Sequence, residues 1–316
     1  INASFFYCAA GLYSAADGSY EPWSYRHLVR FYFFLIIAIS ISLINLKFIY
    51  KYSYLFFILI LLLLLSIEIF GVLGKGATRW IRIFGFNIQP SELIKIAIIL
   101  ALARFYNDLK FIYVKKILNL FFPFLIIFIP FIFVIIQPDL GTALSILLLG
   151  IFILFSAGVR IWKFIAGFIL SVLSIKPMLN FIKPYQKDRI ISFLNPESDP
   201  LGQGYQLIQS KIALGSGGAY GKGFLEGTQS YLEYLPEKQT DFIFTLIGEE
   251  FGFIGTIFII ILFVILISIC FYISVKSNNI FGRLLSLGVA SNIFIYVIMN
   301  IAMVTGLMPV VGIPLP

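Results

Sequence analysis

Apolar runs of 16 to 25 residues recur along this chain, each ended by a short polar or basic interval. A hydrocarbon layer ~30 Å thick needs about 20 apolar residues as a helix, and six runs meet or approach that length: Phe31–Leu46, Tyr54–Leu73, Ile117–Ile136, Leu140–Val159, Phe251–Val275 and Leu284–Val304. Leu93–Phe105 is shorter but fits once Ser91 and Glu92 are placed at the interface. Phe164–Ile175 is shorter still and is closed by Lys176–Pro177. Ile1–Ala16 reads as the outer part of a helix; it lacks the basic start of a signal peptide. The pattern predicts an all-α, polytopic membrane helical bundle with nine spans, the first incomplete. Residues 1–316 are read as one transmembrane domain.

Composition agrees with this pattern. Sixty per cent of residues are apolar and the mean hydropathy is +1.00, well above a soluble domain. The net charge of +8 changes the picture only through its distribution. With a cytoplasmic N-terminus, Lys47–Ser53, Arg104–Lys116, Gly158–Lys163 and Lys276–Arg283 form the inner loops. Together they hold ten Lys or Arg and one acid, Asp108. That is the positive-inside pattern of a multi-pass membrane protein. Scattered over four short loops, these cations do not form a nucleic-acid stripe.

Two outer segments are then expected: Gly74–Glu92, and the long charge-balanced loop 183–240 between spans 7 and 8. Long loops rich in Gly, Pro and paired charge tend to be functional. Next to the second stands LPEKQTDFIFTLIGEEFG (Leu235–Gly252). One helix from Asp241 to Val275 would be ~52 Å long at 1.5 Å per residue, so its acidic head should clear the lipid, tilt, or line a cavity. Acids so placed are functional candidates. Helix capping is the plainer account of Asp241 and of Asp139 in QPDLGTA. Glu249 and Glu250 are expected to pair with cations of a neighbouring helix. Glu92 and Lys95 share a helix face at i,i+3.

Other chemistries are excluded by what is absent. His27 is the only histidine, which removes Ser-His-Asp catalysis and multi-histidine metal sites. Cys8 and Cys270 lie in apolar runs and read as small buried hydrophobes. The run GSGGAYGKG (Gly215–Gly223) is not a phosphate loop, which would need Gly at Ser216 and Ser or Thr at Gly223. It reads as a tight turn, with Lys222 near an anion. An isolated acid among several cations suits an amphiphilic substrate with an anionic head. One carboxylate can deprotonate a hydroxyl while cations stabilise a departing pyrophosphate, which needs no proton.

Several blocks, in order, resemble the SEDS family and its RodA branch: GATRWI (Gly76–Ile81), QPSELIK (Gln89–Lys95), QPDLGTAL (Gln137–Leu144), YQKDRI (Tyr185–Ile190), the long block Asn195–Glu250, and GLMPVVGIPLP (Gly306–Pro316). The resemblance implies a ten-helix glycosyltransferase that polymerises lipid II into peptidoglycan during cell elongation. It also implies work beside a class B penicillin-binding protein and the elongation machinery. The family continues past PLP into a tenth helix, so the resemblance implies a chain truncated at both ends. By the same resemblance Asp241 is the catalytic residue, ahead of the capping account, and Glu92, Lys95 and Asp139 are functionally important. Arg79, Gln186, Lys187, Arg189 and Lys238 are expected at the substrate, the cations meeting the donor pyrophosphate. Asp241 acts as base, or holds a divalent cation, Mg or Mn; no nucleotide or organic cofactor is expected. Rival readings are a flippase for lipid-linked precursors and a scaffold for the penicillin-binding protein.

Overall fold

The computed structural model describes residues 13, 15, 18–19, 23–74, 77–83, 86–109, 114, 116–173, 189, 191–196, 199, 202–232, 234–235 and 238–316. In chain order the elements are α1 (Trp23–Ser42), α2 (Leu46–Phe70), β1 (Val72–Gly74), β2 (Ala77–Ile83), β3 (Phe86–Ile88), α3 (Pro90–Asp108), α4 (Phe121–Ile136), α5 (Leu140–Ser156), α6 (Ile161–Leu173), α7 (Gln203–Ser216), α8 (Thr228–Tyr231), α9 (Ile243–Lys276) and α10 (Ile280–Thr305). Among the described residues, α1, α2, α4 (with the turn before it), α9 and α10 are long and apolar enough to cross a bilayer. Most of the expected first span, Cys8 included, lies outside the described residues.

The helices depart from the apolar runs in instructive places. Lys47–Ser53, expected as a loop, forms the first two turns of α2. Asn45 caps that helix by accepting from the Lys47 N–H at 3.0 Å, so the helix starts at the cap and not where charge gives way to hydrocarbon. The segment after α2, expected as an outer loop, is not all connector. It folds as an antiparallel meander, β1–β2–β3, with Ile81 opposite Ile88 and Val72 opposite Trp80. The β-branched and aromatic residues of TRWIRI favour that conformation. Among the described residues the structure is otherwise helical, with this one small sheet.

The chain divides into two compact units. One comprises residues 44–176 and 266–295, the other 1–43, 177–265 and 296–316. In the first, α2 packs along α3 and α4 along α5. Ala97, Ala101 and Ala103 on α3 are completely buried. A Cβ on Gly288 of α10 would lie 2.4 Å from Ile99, and one on Gly150 of α5 would lie 2.6 Å from Ile127 of α4. Small residues at such crossings let apolar helices approach closely where no water remains to be expelled. At one end Arg104 stacks over Tyr54, 4.4 Å from the ring centroid, and donates to the Lys51 carbonyl at 2.7 Å. Asp108 accepts from the Tyr50 hydroxyl.

In the other unit the core gathers Leu235, Phe242, Phe244, Ala213, Met303 and Val304, with Val310, Val311 and Leu315 against it. This apolar seam holds the C-terminal segment beside the start of α9.

The Gly150 contact generates a test. Gly150→Leu overfills the α4–α5 crossing and is expected to cost ~1–3 kcal/mol, read as a lower thermal midpoint in detergent. Gly167→Ala on α6 serves as control, because nothing lies within 4 Å of its Cβ position.

Candidate functional site

Three of the expected residues meet in the first unit, and a fourth braces them. Pro90 opens α3 and Glu92 lies in its first turn, where a carboxylate meets the positive helix end. One turn on, Lys95 is 1% exposed and its Nζ donates to Glu92 Oε1 at 2.8 Å. Asp139 lies near enough to contribute to the field at Lys95. A buried ammonium is costly unless paired and hydrogen-bonded; Glu92 and Asp139 supply that.

Asp139 is the N-cap of α5. Its Oδ1 accepts from the Thr142 N–H at 3.2 Å, and its Oδ2 accepts from the Thr142 hydroxyl at 3.0 Å and from Gln89 Nε2 at 3.2 Å. One residue therefore caps α5 and ties it to the start of α3. Arg79, projected from β2, donates its Nε to the Gln137 carbonyl at 3.1 Å and its Nη2 to the Pro138 carbonyl. Gln137 Nε2 reaches back to the Leu64 carbonyl at 3.2 Å. The QPD turn is thus pinned from two sides.

In the other unit Asp241 is half-buried in the turn before α9. Its main-chain carbonyl accepts from Asn300 Nδ2 at 2.9 Å, and the same nitrogen donates to the Ile313 carbonyl at 2.7 Å. A Cβ on Gly312 would lie 3.4 Å from Asp241 Oδ2, so the C-terminal segment passes close to the carboxylate. Lys238 is buried at 7% exposure and Arg189 is half-buried. Gln186 and Lys187 lie outside the described residues. Upstream, Asp199 accepts from the Ser192 hydroxyl at 3.0 Å and from the Gly204 N–H at 3.3 Å, anchoring the first turn of α7.

The continuous helix expected from Asp241 to Val275 does not form. The segment is broken at Gly252, with φ +65° and ψ −161°, which leaves residues 243–251 as a short half-helix. The Gly-rich run enters that break. Lys222 N–H and Gly223 N–H donate to the carbonyls of Glu249 and Glu250 at 3.0 and 3.1 Å, while Phe253 and Ile254 N–H donate to Gly218 and Ala219 carbonyls at 2.9 and 3.2 Å. A Cβ on Gly221 would lie 2.0 Å from the Glu250 carbonyl oxygen, so only glycine permits this approach.

Glu249, fully buried, pairs with Lys222 at 2.7 Å. It also accepts from the Thr228 hydroxyl at 3.2 Å and the Gln229 N–H at 3.0 Å. The anion expected near Lys222 is this carboxylate, and the cation expected on a neighbouring helix comes from the loop instead. Removing one partner of a buried pair costs ~3–5 kcal/mol. Lys222→Met should therefore destabilise strongly, and adding Glu249→Gln should recover most of the loss in a denaturation series.

Sequence reasoning left out Gln89, Thr142 and Asn300. The first two stand inside QPSELIK and QPDLGTAL. Asn300 had a signal of its own, an amide in an apolar run. Among the described residues no three His, Cys, Asp or Glu side chains gather at metal-binding spacing.

Comparison with known proteins follows this geometry. The FtsW/RodA/SpoVE cell cycle protein profile matches residues 5–316. The peptidoglycan glycosyltransferase MrdB of Escherichia coli (strain K12) is 44% identical over 253 residues, 79% of this chain and 68% of that protein. A chain from a structure on the coordination of polymerization and crosslinking by a peptidoglycan synthase complex is 28% identical, with a TM-score of 0.81 over 100% of this chain and 90% of that one. The rod shape determining protein RodA of Thermus thermophilus shares the fold, with a TM-score of 0.71, 23% identity, and 100% and 86% coverage. Matched along nearly its whole length, this multi-pass membrane chain belongs to the FtsW/RodA/SpoVE family, the SEDS proteins.

Proposed function

We infer that this chain is a peptidoglycan glycosyltransferase that polymerises lipid II on the outer face of the cytoplasmic membrane. The observation that carries the reading is Asp241: a half-buried carboxylate on a turn whose backbone is tied into the core. Asp241 deprotonates the acceptor hydroxyl, which attacks the donor's anomeric carbon with inversion as the bond to pyrophosphate breaks. Pyrophosphate leaves as an anion, so no acid is required opposite the base. Lys95, steered by Glu92, meets the developing charge, as do Lys187, Arg189 and Lys238. Arg79 braces the QPD turn and adds positive charge there. Alternatively, Asp241 would hold a divalent cation, Mg or Mn, that helps activate the hydroxyl; Mg is commonly bound by one or two carboxylates plus substrate phosphates. The likeness to a chain of a peptidoglycan synthase complex supports a crosslinking partner, a class B penicillin-binding protein within the elongation machinery.

The break at Gly252 favours a second reading, because broken helices are common in transporters. There, however, the freed backbone groups face the cargo, whereas here the Gly-rich loop takes four of them. The deciding experiment incubates full-length protein with lipid II in detergent and in sealed vesicles. Glycan strands and undecaprenyl pyrophosphate are expected, with at least ~10²-fold loss in Asp241→Asn, the scale of lost acid–base catalysis. Lipid II crossing the bilayer in both proteins, with no polymer from either, would establish the flippase.

For the buried pair, Lys95→Ala is expected to lower turnover more than Glu92→Gln, because the lysine also meets pyrophosphate. Both rates are to be normalised to folded protein by size-exclusion chromatography.

A further inference from the structure

Asn300 sits in α10 among apolar residues and is completely buried. Its amide nitrogen donates to two main-chain carbonyls 72 residues apart, those of Asp241 and Ile313. Those two acceptors fix the amide's orientation, since a flipped amide would set its oxygen against both. In that orientation Asn300 Oδ1 is buried with no hydrogen-bond partner among the described residues. An amide that leaves its oxygen open in an apolar interior is a poor stabilising device. Its contribution lies in the two donors.

The two groups it joins frame one carboxylate. Asp241 immediately precedes Phe242, which is locked in the core with Met303 and Val304. Ile313 follows Gly312, whose positive φ of +71° turns the segment so that a side chain there would meet Asp241 Oδ2 at 3.4 Å. Val310, Val311 and Leu315 hold the same segment on the apolar seam. The backbone of Asp241 is therefore tied on one side, and on the other a glycine in the left-handed region carries the C-terminal segment past its carboxylate.

We propose that Asn300 and Gly312 are positioning residues for Asp241: Asn300 fixes the turn that carries the carboxylate, and Gly312, through its left-handed backbone, brings the C-terminal segment past that carboxylate at contact distance. The proposal rests on the reading of Asp241 as the base. A displacement of about 1 Å in a reacting group can cost ~10²-fold in rate, so a staple acting on the turn itself is a sensitive control point.

The test measures steady-state lipid II polymerisation by full-length protein in detergent, with kcat and KM separated and the thermal midpoint recorded. Asn300→Leu keeps the volume and removes both donors. It is expected to lower kcat per folded molecule about 10- to 100-fold while KM for lipid II stays close to wild type; the two carbonyls it leaves without a donor also lower the thermal midpoint. Gly312→Ala, which leaves Asn300 intact, is expected to lower kcat about 10-fold and carries the test if Asn300→Leu does not fold. In the Asp241→Asn background, Asn300→Leu should add no further loss, because a residue acting through Asp241 has nothing left to position. Normal kcat in the folded variants, or a loss that follows only the folded fraction, overturns the proposal. An active Asp241→Asn instead overturns the base assignment, so the two failures are told apart.

Discussion

A backbone N–H or C=O buried away from water without a partner costs several kcal/mol, and the break in α9 has to meet that cost. At Gly252 the helical hydrogen-bond ladder stops. Two carbonyls before it and two N–H groups after it are taken up by residues 218–223. The Gly-rich run is therefore the closure of a broken helix. Its glycines let one backbone lie against another at distances no side chain tolerates. Glu249 fastens the same loop through Lys222, Thr228 and the Gln229 N–H. The half-helix that follows Asp241 is thereby clamped at its far end, and Asn300 holds the turn at its near end.

The same rule shapes the QPSE and QPD motifs. Lys95 can be buried because Glu92 stands one helical turn away and Asp139 lies nearby. Asp139 can be buried because Thr142 and Gln89 donate to it. Arg79 spends its guanidinium on main-chain carbonyls of the QPD turn, and so couples the small sheet to the start of α5. Polar networks of this kind hold a geometry when every member is satisfied.

How much of this was legible in the chain depends on the range of the interaction. The apolar runs declared most of the spans, because hydrocarbon thickness and helical rise leave little freedom. Pro90 at the start of α3, the Asp139 cap and the Glu92–Lys95 pair were readable, since each involves residues within one turn. The extent of α2 was misjudged by following charge: Lys47 and Lys51 are helical because Asn45 caps the turn beneath them. The strands at 72–88 were hidden inside a segment too short and mixed to show an alternating pattern.

The long-range partners could not be read in the same way. That Glu249 and Glu250 needed company followed from their place in an apolar segment, but the partner of Glu249, Lys222, lies 27 positions away in a loop. Asn300 was passed over although an amide in a hydrocarbon run is a signal, and its bonds to Asp241 and Ile313 depend on three separate segments meeting. The break at Gly252 has no local cause, for glycines in long helices are commonly tolerated; it requires a second backbone to arrive and satisfy the severed ladder. The sequence alone determined the elements and the short-range charge pairs, because those arise within a few residues of one another. The break, the clamp on Glu249 and the tie to Asp241 were settled only by the packed chain, because each is a bond between groups that no local window contains.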